Sequence, residues 1–346
     1  MKILLVRLGS LGDIVHALPV AAALRDRHPD AQIDWLVDAR YATILGLVPA
    51  ISRRVILGRY EGGRGGAPTV RDWLTTIAAL RRERYDAAVD LQGLIKSALL
   101  ARLSGARRVI GFGRSHLRER AAGVLYSETV DPGGAVHVVD KNLSALHAFG
   151  ITDAPRRFPL VVGDLSGTGV SPVQAPAGVP PVAYALLNPG AAWPNKRWPA
   201  ERFGAIAVWL HEAHGLRSLV LWGPGEERLA SRIVACSEGA ATQSPPTGIA
   251  EILALARGAR LMLSGDTGPL HLAAAVGTPI VALFGPTMAE RNGPWDPGDI
   301  SLSRFDECVC HYQRRCRRDR PCIDDITLED VRGAIDRRLA FVAKHA

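Results

Sequence analysis

The stretch SGDTGPLHLAAAVGTPIVALFGPT, Ser264–Thr287, determines how the rest of the chain is interpreted. It follows an apolar run, Leu261–Leu263, and opens with a polar turn. In that turn Asp266 and Thr267 favour a helix N-cap, and Pro269 suits a first helical turn. The pattern predicts a buried strand that turns directly into a helix.

The remainder of this stretch predicts a short helix and a second strand. Leu270–Val276 is rich in alanine and ends at Gly277, and Pro279–Phe284 is largely apolar. A strand, turn, helix and strand in this order point a helix N-terminus, with free N–H groups and a positive dipole end, at the rim where open α/β sheets bind ligands. A phosphate is the ligand that such a rim favours; the alternative is that Asp266 and Thr267 only cap the helix.

Strand and helix patterns alternate along both halves of the chain. In the first half, strands are predicted at Lys2–Leu8, Ile33–Val37, Arg54–Leu57, Ala87–Leu91 and Arg108–Gly111, and helices at Ile14–Arg27, Tyr41–Leu47, Val70–Arg84, Leu94–Leu103 and His137–Phe149. In the second half, further strands are predicted at Ala183–Leu187, Ser218–Trp222 and Arg260–Leu263, and helices at Ala200–Glu212, Glu226–Cys236, Ile249–Ala256 and Leu328–Val342. The alternation predicts an α/β protein with two doubly wound, Rossmann-like domains that face each other across a ligand-binding cleft.

The segment between the halves, GDLSGTGVSPVQAPAGVPP, is dense in Gly, Pro and Ser and almost uncharged, so it predicts an interdomain linker. The predicted division is an N-terminal domain of residues 1–162, a linker of residues 163–181, a C-terminal domain of residues 182–326 and a C-terminal helix within residues 327–346. A second glycine-rich stretch, Tyr60–Pro68, predicts a mobile loop in the first domain.

Composition is that of a soluble globular protein. The 346 residues are 47% hydrophobic and 22% charged, and no apolar run reaches the roughly 18 residues of a membrane span. The N-terminal apolar run is interrupted by Arg7 and lacks a cleavage pattern, so it predicts a first strand in a cytoplasmic protein rather than a signal peptide. The net charge of +8 favours an anionic partner such as a nucleotide, a nucleic acid or an acidic membrane surface.

In the first half, the motif GSLGDIVHALP places Asp13 just after the first strand. A carboxylate at that rim could act as a general base, and Gly9 and Gly12 would leave room for a substrate. The alternative is that Asp13 only caps the next helix. The G-x-G-x-x-G spacing and its acidic partner are missing, which disfavours an NAD-dependent dehydrogenase.

In the second half, two further turns follow predicted strands. The loop NPGAAWPNKRWP, Asn188–Pro199, presents Lys196 and Arg197 on a stretch stiffened by Pro and Trp, where they would hold a pyrophosphate or form a solvated pair of charges. The turn WGPGEE places Glu226 where it would accept a ribose hydroxyl or simply begin a helix.

Four motifs together resemble the bacterial ADP-heptose:lipopolysaccharide heptosyltransferases: GSLGDIVHALP, DLQGLIKSALLARL, NKRWP and the Ser264–Thr287 stretch. The resemblance covers nearly the whole chain in the same order. It implies a GT-B fold, with the acceptor bound by the N-terminal domain and the donor by the C-terminal domain. It also implies inverting transfer of heptose from ADP-L-glycero-D-manno-heptose to the lipopolysaccharide inner core, without a metal or other cofactor for catalysis. The heptosyltransferase I branch, which adds heptose to Kdo on lipid A, is the most similar.

The resemblance also implies roles for individual residues. Asp13 corresponds to the catalytic base that deprotonates the acceptor hydroxyl. The implied donor-binding residues are Lys196, Glu226, Asp266, Thr267, Gly268 and His271. The acceptor-side candidates are Ser10, Gly12, Arg64, Lys96 and Ser97, with Arg59 and Arg114 as either acceptor contacts or plain surface charges.

Two departures from the family pattern concern the donor phosphates and the acceptor. Ala191 and Ala192 stand where related proteins carry hydroxyl residues near the donor phosphates. The Gly62–Gly66 run replaces a stretch that is more basic and aromatic in the heptosyltransferase I branch. The alternative function is therefore the same transfer to a different acceptor, a heptosylated core or a protein.

The cysteines are the third departure. Cys308, Cys310, Cys316 and Cys322 lie within fifteen residues in the spacing C-x-C-x5-C-x5-C, with His311 inside it. A structural metal, free thiols and a disulfide are the three interpretations, and the related protein-heptosylating branch holds iron with cysteines. A basic nucleic-acid-binding knuckle is a distant further alternative, because only Tyr312 supplies an aromatic side chain there. The expected partners are ADP-heptose, a Kdo-lipid A or core acceptor and the anionic inner membrane, where the protein would be peripheral, but no nucleic acid.

Overall fold

The computed structural model describes residues 1–58, 60–61, 64–65, 68–161 and 183–345, with the backbone alone at 60–61 and 64–65. The chain divides into two compact units, with the boundary after Val161. The predicted linker, residues 163–181, lies outside the described residues, as do Arg59 and much of the glycine-rich stretch that includes Gly62–Gly66.

The first unit is built on a parallel six-stranded sheet. The strands of this unit are, in chain order, β1 (Lys2–Val6), β2 (Gln32–Asp38), β3 (Arg53–Leu57), β4 (Tyr60–Glu61), β5 (Arg64–Gly65), β6 (Ala87–Asp90), β7 (Arg108–Phe112) and β8 (Glu128–Val130). Strands β4 and β5 form a separate short antiparallel pair, and the other six form the main sheet. Its helices are α1 (Leu11–Val15), α2 (Leu18–Arg27), α3 (Val70–Glu83), α4 (Ile95–Leu103) and α5 (Val138–Ser144). The order of the main sheet is β3-β2-β1-β6-β7-β8.

The second unit repeats this arrangement. Its strands are β9 (Tyr184–Asn188), β10 (Arg217–Val220), β11 (Ala241–Gln243), β12 (Leu261–Gly265), β13 (Ile280–Phe284) and β14 (Ile300–Ser303). Its helices are α6 (Ala200–His214), α7 (Glu227–Ala235), α8 (Ile249–Gly258), α9 (Gly268–Ala275), α10 (Ala289–Asn292) and α11 (Leu328–His345). The sheet order is β11-β10-β9-β12-β13-β14, and α11 packs against β13, β14 and α6 within this unit.

Helices cover both faces of the second sheet, which explains why its central strands are apolar up to their carboxyl ends. Leu261 and Leu263 of β12 belong to one buried cluster, whereas Met262 between them belongs to another on the opposite face. Because side chains alternate across a strand, a strand covered on both faces needs apolar residues at every position. No helix within the described residues has both the length and the apolar character needed to cross a bilayer.

In both sheets the strand order reverses next to the first strand of the unit, between β1 and β6 and between β9 and β12. Such a switch point opens a crevice at the carboxyl ends of the two strands. It places the turn 9–13 beside the turn 91–94 in the first unit. In the second unit it places the loop 189–196 beside the residues that begin α9.

The element boundaries differ from the sequence-based expectations mainly where packing overrides pattern. The predicted helix Ile14–Arg27 is divided into α1 and α2, with Pro19 in the first turn of α2. The predicted helix Tyr41–Leu47 forms short 3-10 turns instead. The strands β8, β11 and β14 were not predicted, because short edge strands are defined by pairing with a neighbour more than by an apolar run.

Gly204 in the middle of α6 tests how closely α6 packs on the end of α7. A Cβ there would lie 2.6 Å from the Cys236 Cβ and 2.8 Å from the Cys236 carbonyl oxygen. We expect Gly204→Ala to destabilise the protein by about 1–3 kcal/mol through overpacking. Gly333→Ala in α11, which meets only the end of the Arg337 side chain at 3.4 Å, should be neutral or stabilising by about 0.5–1 kcal/mol. Equal unfolding midpoints for the two variants in a chemical denaturation series would contradict this packing.

Candidate functional site

The carboxylate of Asp266 is the centre of the switch point in the second unit. It follows β12 and is paired with Lys196, which follows β9, at an Nζ–Oδ2 distance of 2.5 Å. The Thr287 hydroxyl donates to the same carboxylate oxygen at 2.7 Å, and His271 Nε2 lies 3.5 Å from the other oxygen. Three segments of the chain therefore converge on one carboxylate.

This ion pair is largely buried, because only 7% of the Asp266 side chain and 13% of the Lys196 side chain are exposed. Burial alone would raise the pKa of Asp266. The hydrogen bond from His271 and the charge of Lys196 oppose burial and hold the pKa of Asp266 well below its usual range. The carboxylate is thus ionised and fixes the lysine, whose ammonium also lies 4.7 Å from the centre of the Trp193 ring.

The N-terminus of α9 begins at this point. Thr267 is its N-cap residue, but its hydroxyl does not cap the helix. Instead the Asn188 side-chain amide donates to the hydroxyls of Thr267 at 2.8 Å and Ser264 at 2.9 Å, which joins the ends of β9 and β12. Because the N-cap side chain makes no capping bond, the N–H groups of Gly268 and Leu270 lie at a positive dipole end, whereas Pro269 between them has no N–H.

Glu226 lies on the same rim, at the start of α7. Its carboxylate accepts the Gly223 N–H at 3.0 Å and lies 3.6 Å from the Arg197 guanidinium. A Cβ on Gly190 would be only 2.1 Å from Glu226 Oε2, so the carboxylate rests directly against the loop that carries Lys196. The six predicted donor-side residues therefore lie on adjoining turns of one sheet edge.

The four clustered cysteines pack together beside this edge as thiols. Cys308, Cys310 and Cys322 are buried, and the Sγ atoms of Cys310 and Cys316 are 2.9 Å apart. Burial and the neighbouring Cys308 raise the pKa of Cys322 to about 12, which keeps it protonated at neutral pH. Within the described residues, no group of three or more His, Cys, Asp or Glu side chains has an arrangement that could hold a metal ion. The predicted structural metal therefore gains no support.

The cysteine segment instead supports the donor-side loop. The Asn195 side-chain amide donates to the Gln313 carbonyl at 2.8 Å, and the Tyr312 N–H donates to the Pro286 carbonyl at 2.9 Å. The Arg314 guanidinium lies 5.9 Å from the centre of the Trp193 ring, the ring that Lys196 also contacts. The segment thus holds the turn that presents Lys196.

In the first unit, Asp13 lies at the corresponding switch point. Its Oδ1 is 2.6 Å from the Arg7 guanidinium, and its Oδ2 accepts the Ser10 N–H and hydroxyl, each at 3.1 Å. Burial alone would raise the pKa of Asp13, but the Arg7 charge and the two Ser10 hydrogen bonds lower it overall. The side chain is 36% exposed, so this ionised carboxylate is accessible to a ligand.

Arg7 is a site residue that sequence reasoning missed. Its guanidinium also donates to the Leu91 carbonyl at the end of β6, and its own carbonyl accepts the Trp35 indole N–H at 3.1 Å. It therefore connects three neighbouring strands beneath Asp13. Its only sequence signal was a charge inside an apolar strand.

The other acceptor-side candidates differ in their exposure to solvent. Lys96 is exposed in the first turn of α4, whereas Gly12 is buried within α1. The space above Gly9 is filled by the Tyr41 ring, which a Cβ would approach to 2.5 Å, so this glycine accommodates a side chain of the protein rather than a substrate. Ser97 is fully buried, and its hydroxyl bonds Asp90 at 2.9 Å.

Asp90 explains the buried position of Ser97. This carboxylate, also missed at the sequence level, accepts from the Gln92 N–H at 2.9 Å and the Tyr126 hydroxyl at 2.8 Å. Burial raises the pKa of Asp90 despite these donors. The DLQG motif therefore folds its acid inward, where it holds the turn after β6 in place.

In the segment that follows β7, two arginine side chains line a cavity of about 500 Å³. Its lining residues are Arg114, Ser115, Arg120, Ala121 and Val124. Arg114, one of the candidate acceptor contacts, is exposed at its mouth. The side chain of Arg64 lies outside the described residues.

Comparison with known proteins shows the family of the chain. The sequence pattern of glycosyltransferase family 9 (heptosyltransferase) matches residues 73–320, more than half of the chain. The chain belongs to this family. Each half has one Rossmann-like sheet, as the predicted GT-B fold requires. The predictions of family, fold and glycosyltransferase activity are confirmed.

Individual relatives are similar over nearly their whole length. Lipopolysaccharide heptosyltransferase 1 of Pseudomonas aeruginosa is 31% identical, over 96% of this chain and 92% of that protein. Lipopolysaccharide heptosyltransferase 3 of Escherichia coli K12 is 28% identical, over 95% of each. The solved structure of E. coli heptosyltransferase WaaC with ADP-2-deoxy-2-fluoro heptose has a TM-score of 0.73 at 25% identity, covering 97% of this chain and 99% of that one.

The contact between Arg7 and Asp13 yields a first test at this site. We expect Arg7→Met to raise the pKa of Asp13, because the Arg7 charge is the largest influence that lowers it. Ser10→Ala should cause a smaller rise, since the Ser10 N–H bond remains. Carbon-13 NMR titration of the aspartate carboxyl groups, with Asp13→Asn to assign the signal, measures both. A larger rise in Ser10→Ala than in Arg7→Met would contradict the assignment.

Proposed function

We propose that this heptosyltransferase acts in lipopolysaccharide core biosynthesis and moves heptose, with inversion, from ADP-L-glycero-D-manno-heptose to Kdo on lipid A. The observation that carries the proposal is the buried pair of Lys196 and Asp266 at the uncapped N-terminus of α9. This arrangement suits a diphosphate, and the similar WaaC structure was solved with an ADP-heptose analogue.

The donor site is proposed to act on the leaving group. The Asp266 carboxylate fixes one direction of the Lys196 ammonium, which leaves its other N–H donors for the donor diphosphate. As the bond from the anomeric carbon to the ADP oxygen breaks, negative charge grows on the leaving ADP, and the ammonium and the α9 N–H groups stabilise it without reorganising. Because these groups supply the positive charge, we propose transfer without a catalytic metal. Glu226 would accept a ribose hydroxyl.

Asp13 is the proposed general base. It is ionised at neutral pH and exposed enough to reach an acceptor hydroxyl. As the acceptor oxygen attacks the anomeric carbon, its proton passes to the Asp13 carboxylate and the bond from that carbon to the ADP oxygen breaks. A single displacement from the face opposite ADP inverts the anomeric configuration.

The acceptor is proposed from the relatives and from charge. Lys96 and Arg114 are exposed on the first unit and would contact the carboxylate and phosphate groups of Kdo-lipid A. The similarity to a heptosyltransferase 3 supports a heptosylated core as the second candidate acceptor. In either case the acceptor is lipid-linked, so we propose peripheral contact with the cytoplasmic face of the inner membrane.

Substitutions at Asp13 and Lys196 separate the two proposed roles. Asp13→Asn should lower kcat by about 10²–10⁴-fold and leave the Kd for ADP-heptose nearly unchanged, since it removes only the base. Lys196→Ala should raise that Kd by about tenfold or more, because it removes a charge-assisted contact. Calorimetry and steady-state kinetics measure these effects, with the exposed Lys344→Ala as the matched control. Near-normal turnover of Asp13→Asn would refute the base assignment.

The acceptor is tested by incubating the purified protein with ADP-heptose and Kdo2-lipid A and analysing the lipid by mass spectrometry. We expect the mass of one added heptose. Product only on a preheptosylated core would favour the second candidate acceptor. Binding of ADP-heptose without product on either lipid would leave the donor site supported and move the acceptor to another class.

A further inference from the structure

Exposed aliphatic side chains gather at one edge of the first sheet. Because the strands of that sheet are parallel, the segments after β3, β6, β7 and β8 emerge at the edge where Asp13 follows β1. These segments carry the exposed aliphatic residues Val70, Leu74, Ile95, Leu99, Val124 and Val136, here called the aliphatic rim. Single exposed aliphatic residues are ordinary, but a group of six on neighbouring segments is a feature of interaction surfaces.

Helix geometry and packing place most of the rim residues on shared or neighbouring faces. Val70 begins α3 and Leu74 follows one turn later, so the two share a face. Ile95 and Leu99 have the same relation in α4. Val124 belongs to the 3-10 helix 120–125, which packs against α4. Val70 is 76% exposed and Val124 is 65% exposed, so most of each residue is open to solvent.

The segments that carry the aliphatic rim also carry exposed cations. The exposed cations on the same segments are Arg71, Lys96, Arg114, Arg118 and Arg120. Among the ion pairs between described side chains, none involves these four arginines.

The acidic side chains on these segments accept hydrogen bonds from nearby backbone N–H groups. Asp72 caps the first turn of α3, and Asp131 accepts the Gly133 N–H at 2.8 Å. Glu119 accepts the Ile95 N–H at 2.7 Å, which anchors the start of α4. The surface therefore combines aliphatic side chains with unpaired positive charge.

We propose that the aliphatic rim docks the protein on an anionic lipid bilayer, with its arginines on the headgroups and its aliphatic side chains among the upper acyl carbons. Interleaved cations and aliphatic residues on a shallow surface match the chemistry of a membrane interface. The exposed apolar residues are aliphatic rather than aromatic, which disfavours base stacking with a nucleic acid. The inference rests on the proposed function, because docking at this edge brings Asp13 to a lipid-linked acceptor.

Co-sedimentation of the full chain with vesicles tests the surface. The probes are vesicles of phosphatidylglycerol with phosphatidylethanolamine, and vesicles of phosphatidylcholine alone. We expect binding to the anionic vesicles, and Arg71→Gln with Arg118→Gln should reduce it by about tenfold or more. The matched control is Arg81→Gln with Arg82→Gln, at the other end of α3 and hence at the opposite edge of the sheet. Equal losses in the two double variants would overturn the proposal.

The aliphatic contribution has its own pair of variants. Val70→Ser with Leu74→Ser should weaken binding to anionic vesicles, whereas Val309→Ser, a 61% exposed valine of the second unit, should not. Strong binding to neutral vesicles that none of these variants changes would also overturn the proposal.

Activity assays distinguish failure of the docking surface from failure of the proposed function. Arg71→Gln with Arg118→Gln should transfer heptose normally to a deacylated, water-soluble acceptor and slowly to the acceptor embedded in vesicles. Equal rates on the embedded acceptor for this variant and the wild type would refute docking while the heptosyltransferase function stands. Binding to anionic vesicles through the rim, with no transfer to either acceptor, would refute the proposed acceptor alone.

Discussion

The requirement to compensate the buried charge of Asp266 organises the second unit. An ionised carboxylate that is 7% exposed must be paired and hydrogen-bonded, and leaving it without a partner typically costs about 3–5 kcal/mol. Lys196, Thr287 and His271 meet this requirement from three segments. These contacts therefore hold the N-terminus of α9 in a fixed position against the loop after β9 and the turn after β13.

The same topology serves a different purpose in the first unit. Asp13 occupies a switch point as Asp266 does, and both carboxylates have a basic partner and a depressed pKa. The difference is access, because the Asp13 side chain is 36% exposed. An accessible carboxylate can exchange a proton with a ligand, whereas a buried one positions a neighbouring cation. In the proposed mechanism, one kind of crevice supplies the base in the first unit and the anion-binding edge in the second.

The candidate site could be predicted only where the residue type and its place after a strand were sufficient. Lys196, Asp266 and Thr267 were found because a charged or capping residue that follows an apolar run must lie at the carboxyl end of a strand. Ser97 was predicted as an acceptor-side contact, but it is buried against Asp90. The sequence pattern around these two residues does not distinguish a carboxylate that faces solvent from one that ties down its own turn.

The amino-acid sequence by itself determined the alternation of buried strands and helices, the two parallel sheets, the family and the turns that carry charge, because apolar period and capping residues are local signals. Only the tertiary structure decided the pairing of the edge strands β8, β11 and β14, the contact of Arg7 with Asp13, and the packing of four thiols without a metal-ligand arrangement among the described residues. These features depend on residues distant in sequence. Their contacts are set by strand order and burial, which no local pattern encodes.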